Sequence, residues 1–219
     1  MTYSHRFISS CAVLMLVSEI WKQWTLTFVL GAGHYNLWYS PFQLCSIPMY
    51  VCLALTFCGR KYEKYTSLLL SFLMSFGLLG GIFAFFDTSG MHYLYAPLTI
   101  HSYAWHILLI ILGCYCGLCK KTERSYRGLC FSISLYLVCC LIATGFNLLF
   151  YRFGEINMFY INPYYTMNQK FFWRIAASFG NTVGILSYIL ASIIGAALFH
   201  LFFHRICHTL AKHKIMNFV

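Results

Sequence analysis

Charge is what this sequence has least of. Asp, Glu, Lys and Arg together make up 9% of its 219 residues, against about 25% in an ordinary soluble domain. So few charges cannot coat a water-soluble domain of this size. A soluble enzyme, a disordered tail and a nucleic-acid-binding domain are all excluded. Period-two alternation is missing as well, and with it the strand pattern of a transmembrane β-barrel. Proline is scarce, and two of the four, Pro41 and Pro97, fall at the starts of apolar segments, where a helix tolerates a missing N–H.

What is present is apolar: 60% of the chain, in runs of about 20 residues, the length that crosses a bilayer as helix. The reading is all-α, a polytopic bundle of about six transmembrane helices forming a single integral membrane domain over 1–219. The spans are placed at 5–31, 41–59, 66–87, 97–118, 127–151 and 175–203. The first is not a cleaved signal peptide, because its apolar run passes Glu19 and Lys22 and no Ala-x-Ala site follows. The net charge of +10 sits in short connections. Arg6, Arg60, Lys61, Lys64, Lys120, Lys121, Arg124, Arg127, Arg205, Lys212 and Lys214 fall on one face, and Arg152, Lys170 and Arg174 on the other. The positive-inside rule then puts both termini in the cytoplasm, in agreement with an even number of spans. The aromatic connection 152–174 is expected at the outer membrane–water boundary, as an interfacial anchor or as a lid over an outward-opening site.

Polar groups inside a bilayer are costly and mark candidate sites. In Ser40-Pro41-Phe42-Gln43-Leu44-Cys45-Ser46-Ile47-Pro48, Pro41 is expected to open the second helix and Pro48 to kink it. Cys45 then lies in or just beyond the first turn, where the helix dipole favours a thiolate. The fourth segment starts in the same way: His101 follows Pro97 by four residues, as Cys45 follows Pro41. Both would lie about 6 Å below the outer helix ends, with His106 about 7.5 Å deeper and turned by about 140°. Asn147, near the end of the fifth segment, belongs to the same layer. Cys, His and Asn at one depth match the nucleophile, base and orienting amide of thiol acyl transfer. The structural alternative is that His101 caps a helix start and Asn147 bridges two helices. Glu19 and Lys22 share a helix face at i, i+3, either as an inward-facing ion pair or as a substrate or proton site.

The eleven cysteines lie mostly within apolar segments, so no disulfide framework is expected. Cys114-x-Cys116-x-x-Cys119 and the helically spaced His200, His204 and His208 beside Cys207 lack the carboxylates or paired knuckles of a zinc site. They are read as packing residues and as a basic face near anionic headgroups. No Gly-rich phosphate loop, GxSxG elbow or HExxH motif is present, and neither a metal nor a cofactor is called for.

The runs PFQLCSIPMY, HSYAWHILLIILG and TGFN followed by NMFYINPYY resemble the YwaF-type bacterial integral membrane proteins over roughly residues 35–165. That family is similar to a eukaryotic transmembrane family that moves fatty acyl chains between phospholipids. The resemblance implies a bacterial plasma membrane, membrane phospholipids as partners, Cys45 as the acyl-accepting nucleophile, and as base the histidine before the long apolar run, which by that pattern is His106. Depth favours His101, and both are retained. The family's fifth-helix Asn-Tyr is Asn147-Leu148 in this chain.

The leading functional expectation is therefore a thiol-dependent lipid acyltransferase or lipid hydrolase. Cys45 attacks an ester carbonyl, a histidine carries the proton, and Gln43 or Asn147 orients or stabilises the oxyanion. The alternative is a membrane subunit that binds or transports a small ligand through Glu19, Lys22, His101 and the aromatic loop, without covalent chemistry. A third reading is a structural or assembly protein.

Overall fold

A computed structural model describes residues 4–57 and 63–216, with side chains to 210 and excluding that of Glu63. All regular structure among these residues is helical. Five helical stretches are long and apolar enough to cross a bilayer: His5–Leu30, Lys64–Phe83, Ala96–Leu118, Tyr126–Phe150 and Asn181–Leu210. The first contains α1 (His5–Trp24), which Ser4 caps by accepting from the amide of Phe7 and which loosens into a π-helical turn at Thr25–Leu30. The second joins α3 (Glu63–Phe72) to α4 (Leu78–Phe83) through a π-turn at Leu73–Gly77. There the Ser75 hydroxyl bonds back to the carbonyl of Ser71 at 2.8 Å, a bond that bends helices. The rest are α5 (Ala96–Leu118), α6 (Tyr126–Phe150) and α8 (Asn181–Met216).

The helices alternate in direction, so the basic connections gather at one end. Ser4 donates to the Tyr115 hydroxyl, His5 to the carbonyl of Thr56, Glu123 to the carbonyl of Ser67, and His204 to the carbonyl of Arg124. The helix ends carrying Arg6, Lys64, Lys120, Lys121, Arg124, Arg127 and Arg205 thus meet in one layer, the basic end. At the far end Lys170 donates to the carbonyl of Phe86 and sits 3.7 Å from Asp87. Arg60, Lys61 and the side chains of Lys212 and Lys214, also expected at the basic end, lie outside the described residues.

Two spans differ from expectation. The second begins at Ile47, not Pro41: α2 is Ile47–Phe57, 11 residues. Pro48 falls in its first turn, where its missing N–H breaks no helical bond. It opens the helix rather than kinking it, and residues 40–46 form irregular turns. The last span begins at Asn181 rather than 175. A separate short helix, α7 (Phe172–Phe179), precedes it and ends at Gly180, whose φ of 95° is left-handed, a conformation cheap only for glycine.

Part of the aromatic connection packs into the bundle. Ile156, Asn157, Met158, Phe159, Ile161 and Asn162 are buried. The Phe159 ring packs against Phe42 and Tyr136, with centroids 5.7 and 6.1 Å apart, and Tyr136 stacks on Phe76 of α3's π-turn at 4.5 Å. A column of rings thus ties the loop to α3 and α6 and to the segment before α2. Small residues allow the close crossings. A Cβ on Gly81 of α4 would lie 3.0 Å from the amide nitrogen of Ile110 and from Leu109 Cβ on α5, so any side chain there forces a neighbour to shift.

Candidate functional site

Cys45 sits just outside α2, in a turn closed by the amides of Ser46 and Ile47 donating to the carbonyl of Gln43. Cys45 packs with a buried cluster of Met15, Met49, Trp105 and Leu109, so it sits beside the middle of α1 and of α5. Trp105 fixes it there, its indole Nε1 donating to the carbonyl of Cys45 at 3.0 Å. Gly80 of α4 backs the same segment, with a hypothetical Cβ 3.7 Å from Cys45 Cα.

Both histidines lie on α5 with Trp105, His106 about 18 Å and His101 about 25 Å from its basic end. The Nδ1 of His106 lies 2.7 Å from the carbonyl of Ser102. A carbonyl only accepts, so Nδ1 carries the proton and Nε2 keeps a lone pair, the form a general base needs. His101 packs between Trp21 and Trp105, with ring centroids at 5.6 and 5.7 Å, and its buried Nε2 has no hydrogen-bond partner among the described residues. No hydrogen bond joins Cys45 Sγ to either ring among the described residues.

Above the thiol, towards the far end, lies a buried ion pair. Lys22 Nζ is 2.8 Å from Glu19 Oε1, and the Gln23 amide donates to the same oxygen and to the carbonyl of Tyr39, each at 2.7 Å. Cys45, His101 and His106 are all within electrostatic range of Lys22, and Cys45 and His101 also of Glu19. The structure thus gathers Glu19, Lys22, Cys45, His101 and His106 into one polar column, two layers deep.

Gln43 and Asn147 are engaged elsewhere. The Asn147 amide pairs with both backbone groups of Met158, donating to its carbonyl at 3.0 Å and accepting from its N–H at 2.7 Å. Gln43 donates to the carbonyl of Asn157 at 3.0 Å and accepts from the N–H of Phe159 at 2.7 Å. Irregular backbone at membrane depth survives only when protein satisfies its polar groups, and these two amides do so for residues 157–159. Asn157, Asn162 and Asn181 continue the network along the loop.

Sequence reading missed Trp105, although a buried indole must place its N–H somewhere. It also missed the phenols of Tyr93, Tyr160 and Tyr188, all within electrostatic range of Cys45. Among the described residues no group of three or more His, Cys, Asp or Glu side chains is arranged to hold a metal, and the ten cysteines described are free thiols.

No curated protein and no solved structure matches the chain. A family profile does match, over residues 2–192, nearly the whole of this bundle of membrane-length helices. The chain is a multi-pass membrane protein, and it belongs to the TMEM164 family.

Proposed function

We propose that this protein is a membrane-embedded thiol acyltransferase acting on phospholipid acyl chains, with Cys45 as nucleophile and His106 as base. The observation that carries the reading is the setting of Cys45: a thiol on irregular backbone, pinned by Trp105 of α5, with the next residue of that helix a histidine whose free nitrogen is Nε2. The resemblance of PFQLCSIP to the YwaF-type proteins supports the same role. The ion pair lies about one to two helical turns above the thiol, and a turn is about 5.4 Å. A phospholipid's phosphate near Lys22 and His101 would then bring its ester carbonyl down towards Cys45. His106 takes the thiol proton, the thiolate displaces the lipid alkoxide, and the acyl chain rests on sulfur until a second hydroxyl accepts it.

The test is intact mass spectrometry after incubation with phosphatidylcholine, phosphatidylethanolamine and phosphatidylserine vesicles. A mass gain of one acyl chain, removed by hydroxylamine and absent in Cys45→Ala, is expected. No adduct with any lipid sinks the covalent reading.

One observation favours a second function. The buried Oε1 of Gln23 and Nε2 of His101 both lack partners among the described residues, and both belong to the ion-pair layer. A small polar ligand bound there without covalent chemistry would satisfy both. That reading expects Cys45→Ala to retain ligand co-purification and Lys22→Met to lose it.

A further inference from the structure

The last turns of α8 carry a polar face that the chemistry at Cys45 does not use. A largely apolar stretch from Val183 to Phe203 precedes it, roughly 32 Å of helix, which matches a hydrocarbon core of about 30 Å. His204, Arg205, His208 and Thr209 follow, past the core, in the headgroup layer of the basic end. There the connection between α5 and α6 holds α8 in place. His200 Nε2 donates to the carbonyl of Ser125 at 3.2 Å, His204 Nδ1 donates to that of Arg124 at 2.9 Å, and the Cys207 thiol lies 3.6 Å from that of Gly117. Arg124 turns its guanidinium onto the carbonyls of Gly117 and Cys119 at the end of α5.

His204, Arg205, His208 and Thr209 recur at i, i+1, i+4 and i+5, on one side of the helix. All four are exposed, and together they line a cavity of about 350 Å³. Its lining is a guanidinium, two imidazoles and a hydroxyl, with no carboxylate among the described residues. That set suits a phosphate: the guanidinium fork spans two oxygens, and the hydroxyl donates to one. The two imidazoles find no third ligand for a metal among the described residues. The one acidic residue of the α5–α6 connection, Glu123, accepts from the amide of Ser125 at 3.1 Å. The negative end of α8, at Met216, is about 10 Å beyond Thr209, and a helix dipole acts only within its last turn. His204 narrows the class further. With Nδ1 committed to Arg124, the neutral ring offers Nε2 as an acceptor. A phosphomonoester, whose second pKa is about 6, has a proton to share with that nitrogen near neutral pH, and a phosphodiester has none. Leu198, Leu201 and Phe202 are exposed on the same face, one to two turns before Arg205, where the acyl chains of a lipid would run.

We propose that this cavity binds the phosphomonoester headgroup of an anionic membrane lipid, with Arg205, His208 and Thr209 donating to the phosphate oxygens and His204 sharing a proton with them. The lipid's chains lie along Leu198, Leu201 and Phe202. The site is separate from Cys45 and holds whether or not that thiol carries acyl groups.

The experiment titrates the full-length protein in detergent with dioleoyl phosphatidic acid, a monoester, and with dioleoyl phosphatidylglycerol, a diester. Bound lipid is counted by native mass spectrometry, and inorganic phosphate is added as a competitor. Phosphatidic acid should bind more tightly than phosphatidylglycerol, and inorganic phosphate at the same concentration should not displace it. Arg205→Gln should weaken phosphatidic acid binding by about tenfold or more. Arg205→Lys, which keeps the charge but loses the fork, should weaken it by about threefold or more. Arg152→Gln, at the far end, should bind as wild type does. Thr209→Val tests the same site should an Arg205 variant fail to fold, and should also weaken binding. Undiminished binding by Arg205→Lys and Thr209→Val marks a diffuse attraction of the basic end and overturns the proposal. So does equal binding of the two lipids, or displacement by inorganic phosphate at matched concentration, which marks a site for the free ion.

Discussion

Asn147→Ala strips the buried N–H of Met158 of its partner and leaves the Met158 carbonyl with one of its two. The carbonyl keeps the amide of Ile161, and the N–H has nothing else to turn to. Leaving a buried backbone group unpaired costs about 1–3 kcal/mol, and that is the predicted loss. It exceeds the roughly 0.6 kcal/mol typical of a side-chain hydrogen bond between membrane helices, because those partners find substitutes and this N–H does not. Against a total stability of about 5–15 kcal/mol the loss is large. Unfolding in detergent micelles, followed by helical circular dichroism, should show it, and maleimide labelling of Cys45 should accelerate as the loop loosens. Gln43→Ala acts on the adjoining groups of Asn157 and Phe159. Once Asn147→Ala has freed the loop, the second substitution should therefore cost less than it does alone, with a coupling of about 0.5–3 kcal/mol. A change below about 0.5 kcal/mol for Asn147→Ala, together with additive effects in the double variant, would refute the view that these amides hold the loop in the membrane.

Three further outcomes follow from the same geometry. Glu19→Gln leaves the partly exposed Lys22 beside a neutral side chain and should cost about 1–3 kcal/mol, and adding Lys22→Met should restore most of it; thermal melts of both variants check this. Gly81→Val would drive its Cβ into Ile110 and Leu109 and should destabilise by about 1–3 kcal/mol, whereas Gly145→Ala, with nothing within 4 Å of its Cβ, should be neutral or gain up to about 1 kcal/mol. Trp105→Phe removes the donor to the Cys45 carbonyl at a cost of about 1 kcal/mol, and should change the maleimide labelling rate of Cys45 while leaving that of Cys207 as it is.

The bundle was legible because long apolar runs have few alternatives: a segment such as Tyr126–Phe150 can only be a helix in lipid. The Glu19–Lys22 pair was legible from i, i+3 spacing alone. The setting of Cys45 was not. Pro41 reads as the opener of the second helix and Pro48 as a kink within it, and only the three-dimensional packing around Gln43 and Trp105 shows that Pro48 opens α2. The packing of the loop 152–174 was hidden for a related reason. Its aromatic composition suits a membrane boundary and a protein interior equally, and the buried Asn157 and Asn162 declare their role only through the backbone groups they satisfy.

The half-length α2 also has a consequence for the surrounding lipid. Its 11 residues span about 16 Å of a core about 30 Å thick, so at this corner one leaflet meets a full helix and the other meets folded loop. A bilayer answers such a hydrophobic mismatch by thinning locally. Thinning here lowers the headgroups of the far leaflet towards the level of Cys45 and shortens the distance a lipid ester must descend to reach it. The membrane next to α2 thereby becomes part of the access route, and bilayer thickness becomes a variable of the protein's activity: reconstitution in shorter-chain lipids should favour turnover, and thicker, sterol-rich bilayers should slow it.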